Sequence, residues 1–502
     1  MTDKKYNIIY PDAPPEQPPM PQWHKPAPLP ASPEGTPPPP KPDFSKRGLW
    51  GAHDPAIYRD PVSGDYFAYC THRNIYRSPD LINWRHIGRI MEDETPEASF
   101  RWTNSHGLWA PDIIKVGDEY RLYCSNSSFG VQLSCIYLVV SDKPEGPFKY
   151  RGIVVKTNSK SPVNAIDANL VVDEKTGEQY MAYGSFWGGI KLMKLDPETG
   201  LAADKTEAED GRTADSALGV TIACRPKWCD GGVEGAYIRY NPDTGYYYLF
   251  VSYGSLSNDY NIRVGRCREL TGPYIDHNGR PMMDMEDYDV KTGTMIACGY
   301  RFENSGGWMG PGHNSVLCPL PESEIDHSSR NSDNAAEVDD WFLVCHIRPY
   351  AVYRHIDSTM HVRRILWIDG WPVISPENYA GERLQPIPHD AIAGRYEWIT
   401  LSPTIPQSVI GSAPATLTVS GTMHISSYTR CKWQLIGDNE LLIDMQGGHT
   451  IRARVLPAWD HENQRPALVI TGLTNDGVAV WGKRIGDVSQ RRLPPGGGGP
   501  TV

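Results

Sequence analysis

What this sequence lacks excludes several classes of protein. Its 502 residues contain no apolar run of about 18 residues, so no transmembrane helix is predicted. Basic residues are not in excess, because 49 Lys and Arg face 60 Asp and Glu, for a formal net charge of −11. This balance argues against nucleic acid or an anionic membrane surface as the main partner, and it is compatible with a neutral substrate.

Two further absences concern export and metal binding. The N-terminus has no apolar h-region before its prolines, so either the protein is cytoplasmic or an export signal has been removed. The 10 cysteines include no CxxC pair and no Cys/His cluster of the kind that binds zinc, so we expect structural thiols. Cys224 and Cys229 share a loop, and whether they form a disulfide stays open.

Amphipathic helical patterns are also missing, and short β-branched or aromatic runs bounded by Gly, Pro, Asn and Asp predict an all-β protein. Proline dominates residues 1–45, which we expect to form an extended N-terminal arm. The tail at 491–502 is expected to be flexible. Residues 385–490 contain hairpin-linked strands of a different pattern, which predict a separate C-terminal β-sandwich or small barrel.

An internal repeat organises residues 46–380. Each unit begins with a polar residue beside a short strand, passes through a turn into an aromatic-rich strand, and adds a third strand. The five units start near Asp54, Asp112, Asp167, Glu234 and His313. Repeated units of three to four short strands are typical of propeller blades, so the sequence predicts a five-bladed β-propeller.

The propeller geometry would bring distant residues together. The first strand of each blade lies closest to the axis, so Asp54, Asp167, Glu234 and His313 are expected to meet around one end of the central channel. Any one of these residues alone could have a structural role, such as that of an aspartate in a turn. Three gathered carboxyl groups repel one another, which favours a functional site.

Three carboxyl groups in one ring can support glycoside hydrolysis. That reaction needs an acid to protonate the leaving oxygen, and a base or nucleophile on the opposite face of the sugar. A third carboxylate can raise the pKa of the acid by repulsion. Tryptophans next to the acids suit sugar stacking, although Trp109 and Trp187 could equally serve blade packing.

A series of motifs in order across residues 50–375 carries a family resemblance. These motifs are HDP, LWAPD, NAIDAN, GSFWGGIKL, VEGAYI, YNIRVGR, TGPY, GPGHNS and DGWPV. Together they resemble the family 43 glycoside hydrolases, specifically the two-domain endo-α-1,5-L-arabinanases. The resemblance implies an inverting enzyme that acts on arabinan or arabino-oligosaccharides of plant cell walls, outside the cytoplasm.

The resemblance also implies roles for individual residues. Asp54 corresponds to the general base, Glu234 to the general acid, and Asp167 to the carboxylate that tunes and positions the acid. Inversion implies a separation of roughly 6.5–9.5 Å between base and acid. His313 would help to hold calcium through its water shell, although a buried, hydrogen-bonded histidine would look the same in sequence. The residues implied to line the sugar subsites are His53, Trp109, Asn164, Ser185, Trp187 and Arg363.

Alternatives remain at this point. The segment ACRPKWCDGG and the long insertion in the fifth unit depart from the simplest arabinanases, so endo or exo action stays open. An exo-acting α-L-arabinofuranosidase or a β-xylosidase on the same fold is one alternative. A non-catalytic glycan-binding propeller is another, which the complete set of three acids disfavours. The C-terminal domain could bind polysaccharide or support the propeller.

Overall fold

The computed structural model describes most of the chain. The described residues are 1–3, 5–15, 49–91, 95–229, 231–303, 305–318, 340–350, 358–403, 405, 409–426 and 429–488. Helix is scarce among them, with α1 at Glu97–Thr103 and α2 at His389–Ile392. None of the described helices is long and apolar enough to cross a membrane.

The N-terminus differs from the expected extended arm. Two short strands, β1 (Thr2–Asp3) and β2 (Ile8–Ile9), pair antiparallel. Ile8 is fully buried in the core of the C-terminal domain, and the side chain of Gln385 binds the backbone of Ile9 at 2.9 and 2.7 Å. The apolar residues before the first proline therefore dock as a hairpin. The rest of the proline-rich segment, 16–48, and the tail at 489–502 lie outside the described residues.

Four blades are four-stranded antiparallel sheets, each with its strands in chain order. Blade one contains β3 (Ala56–Arg59), β4 (Tyr66–Tyr69), β5 (Asn74–Ser78) and β6 (Arg85–Arg89). Blade two contains β7 (Trp109–Val116), β8 (Glu119–Asn126), β9 (Ser134–Ser141) and β10 (Lys149–Thr157). Blade three contains β11 (Asn169–Val172), β12 (Gln179–Tyr183), β13 (Ile190–Lys194) and β14 (Val220–Ala223). Blade four contains β15 (Val233–Asn241), β16 (Tyr246–Tyr253), β17 (Asn261–Cys267) and β18 (Thr294–Ala297).

The fifth blade is larger and joins the second domain. Its strands are β19 (Tyr300–Arg301), β20 (Trp308–Leu317), β21 (Trp341–Pro349), β22 (Thr359–Ile368) and β23 (Trp371–Ile374). A segment from the C-terminal region, β25 (Ile410–Gly411), pairs in parallel with β19. This pairing ties the two domains together through the backbone.

The C-terminal domain is a closed eight-stranded barrel, which resolves the expected choice between sandwich and barrel. Its strands are β24 (Gly394–Thr400), β26 (Ala413–Leu417), β27 (Thr422–Ile425), β28 (Thr429–Leu435), β29 (Glu440–Asp444), β30 (Thr450–Asp460), β31 (Arg465–Thr474) and β32 (Ala479–Gly486). Its core is apolar, with Trp398 and Trp433 among the buried side chains. The predicted all-β fold, a five-bladed propeller with a C-terminal β domain, is confirmed.

Polar side chains join neighbouring blades near the axis. Asp112, Asn169 and Ser315 lie on the innermost strands of their blades, which are β7, β11 and β20. Each accepts a hydrogen bond from a backbone N–H in the first strand of the next blade, at 2.7, 2.8 and 3.0 Å. The bond to Ser315 links blade five to blade one and so closes the ring. Asp112 is therefore structural, and burial raises its pKa to about 6.

Candidate active site

The same backbone feature recurs at the axial end of all five blades. In each blade, a residue with a left-handed backbone lies either two positions before the innermost strand (blades one and three) or inside it (β7, β15 and β20). These residues are Asp54, Ala110, Asp167, Gly235 and His313, with φ of 49°, 39°, 65°, 59° and 45°. A left-handed conformation is unfavourable for residues other than glycine and persists where surrounding structure enforces it. We call these five positions the axial ring.

Hydrogen bonds from the preceding blade hold most of the axial ring. The amides of the ring residues in blades two, three and five donate to the hydroxyls of Thr71, Ser125 and Ser252 at 2.8, 2.9 and 2.8 Å. The amide of the blade-one residue approaches Nδ1 of His346 at 3.4 Å. Three of these side chains lie at or just after the end of the strand that pairs with the innermost strand, and His346 lies inside the corresponding strand of blade five, β21. In blade three the corresponding residue is Gly184, which has no side chain. The amide of Gly235 in blade four instead approaches the carboxylate of Asp167 at 3.4 Å.

The ring brings two of the predicted acids to one histidine. Nδ1 of His313 lies 3.5 Å from Oδ1 of Asp54 and 4.0 Å from Oδ2 of Asp167. The other oxygen of Asp54 accepts a hydrogen bond from Thr71 at 2.6 Å. Nδ1 of His346 lies 3.1 Å from Oδ1 of Asp54. Residues from three blades therefore form one polar cluster, as the repeat predicts.

The charges around Asp54 favour its ionised form. Burial alone would raise its pKa, but the imidazoles of His53, His313 and His346 outweigh burial and hold the pKa well below its usual range. Burial lowers the pKa of both His53 and His346, against the opposing charge of Asp54. Burial also opposes the charge on His313, but the surrounding carboxylates raise its pKa. His313 therefore supplies the positive charge of the cluster.

Glu234 is not itself at an axial-ring position, contrary to the expectation that all three acids are equivalent. Gly235 occupies that position in blade four. A Cβ there would lie 3.1 Å from Cα of His313, so a side chain would fit only if His313 moved. Glu234 precedes it and accepts hydrogen bonds from Ser185 at 2.7 Å and Tyr260 at 2.8 Å. The third acid therefore has a separate set of partners.

The protonation of Glu234 and Asp167 contrasts with that of Asp54. Burial raises the pKa of Glu234, even though the hydroxyls of Ser185 and Tyr260 stabilise the charged form. Burial and the negative charges of Glu234 and Asp54 raise the pKa of Asp167 to about 8, against the opposing effect of His313. One site thus holds an ionised carboxylate beside two carboxyl groups that retain a proton more strongly.

Comparison with known protein families identifies this arrangement. The model described as "Glycosyl hydrolases family 43" matches residues 51–372, and that described as "C-terminal lipocalin-like domain" matches 376–482. The first match covers more than half of the chain. The chain belongs to glycosyl hydrolase family 43.

Relatives of this family 43 glycoside hydrolase match either most of the chain or about half of it. An extracellular endo-α-(1→5)-L-arabinanase of Thermotoga petrophila is 28% identical over 478 residues, which cover 86% of this chain and 93% of the relative. An extracellular exo-α-(1→5)-L-arabinofuranosidase of Cellvibrio japonicus is 32% identical over 275 residues, which cover 53% of this chain and 74% of the relative.

Solved structures agree with these matches. The crystal structure of endo-1,5-α-L-arabinanase from T. petrophila has a TM-score of 0.73 at 27% identity, covering 86% of this chain and 98% of that one. A structure of Cellvibrio cellulosa α-L-arabinanase complexed with arabinohexaose has a TM-score of 0.50 at 27% identity, covering 64% of this chain and 95% of that one.

Several residues expected at the sugar subsites of the family 43 enzyme lie around these acids. His53 stacks on His346 with ring centroids 4.1 Å apart, and its Nε2 lies 3.5 Å from Asp54. Trp109 is partly buried and adjoins the axial-ring residue of blade two. Trp187 is 46% exposed, two residues after the Ser185 that binds Glu234.

Asn164 belongs to the loop before Asp167. Its side chain is buried, and its Oδ1 has no hydrogen-bond partner within the part of the chain that the structure describes.

Arg363 does not belong to this site, and the expectation that it binds sugar is wrong. It is 2% exposed. Its guanidinium donates to the carbonyl of Pro376 and the hydroxyl of Tyr300, both at 2.6 Å, and packs on the ring of Trp481. Because its donors face residues between blade five and the barrel, Arg363 stabilises the junction of the two domains.

The sequence reasoning missed His346, Tyr260 and Thr71. Thr71 and His346 end the runs YFAYCT and FLVCH, and Ser125 and Ser252 end similar apolar runs in blades two and four. The available signal was therefore a polar residue after this apolar run in four of the five blades. Tyr260 opens the motif YNIRVGR, but nothing in its local pattern indicates contact with Glu234.

The donors at the axis test the expected calcium site. His53, Asp54 and His346 each offer one ligand atom, and these atoms lie within 4.8 Å of one another. Two imidazoles and one carboxylate do not fit calcium, which prefers oxygen ligands. Nε2 of His346 is buried and has no hydrogen-bond partner among the described residues. A water molecule fits beside that nitrogen, so the residues are compatible with an ion held through its water shell.

Proposed function

We propose that this family 43 enzyme is an endo-acting α-1,5-L-arabinanase that inverts the anomeric configuration. One observation carries the catalytic part of the proposal: the two acids of one site have different partners, since histidines contact Asp54 and hydroxyl groups bind Glu234. Asp54 has a pKa well below its usual range, whereas the pKa of Glu234 is raised. A base and an acid at the same site need this division.

Asp54 is the proposed general base. Its ionised carboxylate takes a proton from a water molecule, and the water oxygen forms a bond to the anomeric carbon. The hydrogen bond from Thr71 and the contact with His346 support this role, because they hold the carboxylate in one orientation.

Glu234 is the proposed general acid. It donates its proton to the glycosidic oxygen as the bond between that oxygen and the anomeric carbon breaks. Asp54 ends the reaction protonated and Glu234 ionised, and exchange with solvent restores both. Asp167 tunes this step, because repulsion between its carboxyl group and that of Glu234 opposes ionisation of both.

The proposed sugar contacts are His53, Trp109, Asn164, Ser185 and Trp187. The exposed ring of Trp187 suits stacking on a sugar, and the unpaired Oδ1 of Asn164 suits a hydroxyl donor. Ser185 would position the acid rather than the sugar, since its hydroxyl already donates to Glu234.

Calcium is proposed at the axis, held through water by His313 and His346. When bound, the ion would supply positive charge that favours the ionised form of nearby carboxylates. The protein residues perform the proton transfers. Chelation is therefore expected to reduce activity, and calcium is expected to restore it.

The substrate assignment is supported by the relatives. Two-domain relatives that cover most of this chain are named endo-α-(1→5)-L-arabinanases, and they are named extracellular. We therefore propose linear arabinan as substrate and a location outside the cytoplasm. An exo-acting α-L-arabinofuranosidase is the second candidate, because an exo-acting relative matches over 275 residues.

One experiment separates these candidates. The enzyme is incubated with linear arabinan, branched arabinan, arabinoxylan and xylan, each with and without a chelator, and the products are separated by chromatography. Mixed arabino-oligosaccharides early in the digestion support endo action. Release of arabinose alone would establish exo action, and hydrolysis of xylan without hydrolysis of arabinan would reject the proposed substrate.

A further inference from the structure

We call the end of the propeller where the acids meet the mouth. Two exposed aromatic rings lie beside it, on blades three and four. Trp228 belongs to the connection between β14 and β15, and Tyr288 to the connection between β17 and β18. They are 49% and 76% exposed, and their centroids lie 6.3 Å apart with 16° between the ring planes. The two rings are stacked nearly parallel and form one aromatic patch. We call this pair the aromatic platform.

The platform lies on the same face of the propeller as the acids. The end of β14 pairs with the start of β13. The turn that carries Trp187 leads directly into the start of β13. The amide of Cys224, just past β14, donates to the carbonyl of Met282 at 3.1 Å, which joins the two connections. Both connections therefore approach the mouth end of their blades.

The Trp228 connection also contacts the residues that hold the acid. The amide of Phe186 donates to the carbonyl of Val233 at 2.9 Å. A Cβ added to Gly231 would lie 3.5 Å from the backbone of Trp187. The connection then continues directly into Glu234. The Trp228 connection is thus packed against the turn that carries Trp187 and leads into the strand of Glu234.

Neither ring of the platform is enclosed by the described residues. Met283 and Met285 nearby are 38% and 52% exposed, so the rings cap no closed core. Cys224 and Cys229 remain free thiols, and no disulfide braces the Trp228 connection. Single exposed apolar residues are ordinary, but a contiguous group beside a site indicates binding.

We propose that the aromatic platform is a remote subsite for the polysaccharide chain, several sugar units from the bond that is cut. This inference rests on the proposed function. The C–H faces of sugars pack on indole and phenol rings, while their hydroxyls stay in water. A polymer that reaches from the acids past Trp187 would lie across both rings. A short oligosaccharide would end before it reached them.

The test compares Trp228→Ala, Tyr288→Ala and the double variant with wild type on linear arabinan and on arabinotriose. Tyr150→Ala is the matched control, because Tyr150 is 38% exposed on β10 and pairs with the end of β9 away from the mouth. Each platform variant is expected to raise KM for the polymer by roughly three- to tenfold, with kcat near wild type. The kinetics on arabinotriose and those of the control are expected to stay unchanged.

Three outcomes would overturn the platform. These are an unchanged polymer KM in the double variant, an equal loss on arabinotriose, and a wild-type dimer on size-exclusion chromatography that the double variant converts to monomer. The last would make the rings a contact between two copies. If wild type cleaves xylan or arabinoxylan but not arabinan, the proposed substrate fails, and the same KM comparison on the cleaved polymer still decides the platform.

Discussion

Buried carboxyl groups gather at two places in this protein, and the two places neutralise them differently. At the junction of propeller and barrel, Nζ of Lys483 lies 3.0 Å from Glu377, 3.0 Å from Asp460 and 2.7 Å from Glu462. Lys483 is fully buried, and its pKa is raised by these carboxylates against the effect of burial. A permanent cation therefore fixes this junction cluster.

The mouth has no such cation among the described residues within salt-bridge distance of its acids. There His313 is the nearest positive group, at 3.5 Å from Asp54, and its charge depends on the carboxylates around it. The comparison teaches that burial of acids alone does not indicate catalysis. What distinguishes the mouth is that histidines, and not a permanent cation, lie beside its carboxyl groups.

The largest expected effect tests the mouth. Glu234→Gln is expected to reduce kcat by about 10²–10⁴-fold, because the amide cannot donate the proton. The unfolding temperature is expected to stay the same or rise, since a buried acid is removed. Glu462→Gln at the junction is the control and is expected to retain activity. Wild-type turnover by Glu234→Gln on linear arabinan would remove this residue from the role of acid.

The next effect tests the junction. Lys483→Met is expected to lower the free energy of unfolding by about 3–5 kcal/mol, because it leaves buried carboxylates without their cation. Denaturant unfolding measures this change. The control is Lys194→Met, which breaks an exposed pair with Glu178 and is expected to change stability by about 0–1 kcal/mol. Equal effects of the two substitutions would mean that the junction lysine is not essential to the cluster.

Much of the propeller could be predicted from the sequence because its repeat is local. Turn residues and aromatic strands recur in each blade, and the register of Asp54, Asp167 and His313 follows from that repeat. The symmetry of the repeat therefore predicts that these three residues lie close together. The C-terminal barrel showed only as alternating strands, and its closure depends on long-range pairing of β24 with β32, which no local pattern specifies.

The misplaced residues share a physical reason. The sequence around Arg363 resembles that of the other blade strands. Its guanidinium is enclosed because the barrel packs against blade five. Glu234 lies one residue before the left-handed position of blade four, where the close approach of His313 leaves little room for a side chain on Gly235. Tertiary packing decides both positions, and sequence spacing carries no record of it.

A smaller effect concerns stability against pH. Three carboxyl groups share one ammonium at the junction, so one of them is expected to keep its proton. Burial, followed by the charge of Glu462, raises the pKa of Glu377 to about 8 from an ordinary value of 4.5. A group with a raised pKa in the folded state stabilises the protein below its unfolded pKa, and that stability is lost as pH rises through the folded pKa.

The free energy of unfolding is therefore expected to contain a term that falls between pH 4.5 and about 8, and Glu377→Gln is expected to remove it. Thermal unfolding of both proteins across this range measures the difference. Asp167→Asn at the mouth is expected to remove a term of the same sign, because the pKa of Asp167 is also about 8. Parallel curves for wild type and Glu377→Gln would show that Glu377 is ionised in the folded protein throughout.

The smallest effect sharpens the contrast at the mouth itself. Tyr260 donates to Oε1 of Glu234 at 2.8 Å and thereby lowers the pKa of that carboxyl group, against the larger effect of burial. Tyr260→Phe keeps the ring that stacks near His346 but removes the donor. The pKa of Glu234 is then expected to rise further, so the alkaline limb of kcat/KM moves to higher pH. Ser185→Ala is expected to move it in the same direction, and Tyr150→Phe, distant from the mouth, is expected to leave it in place. A shift of the limb to lower pH in Tyr260→Phe would mean that the proton lost on this limb does not belong to Glu234.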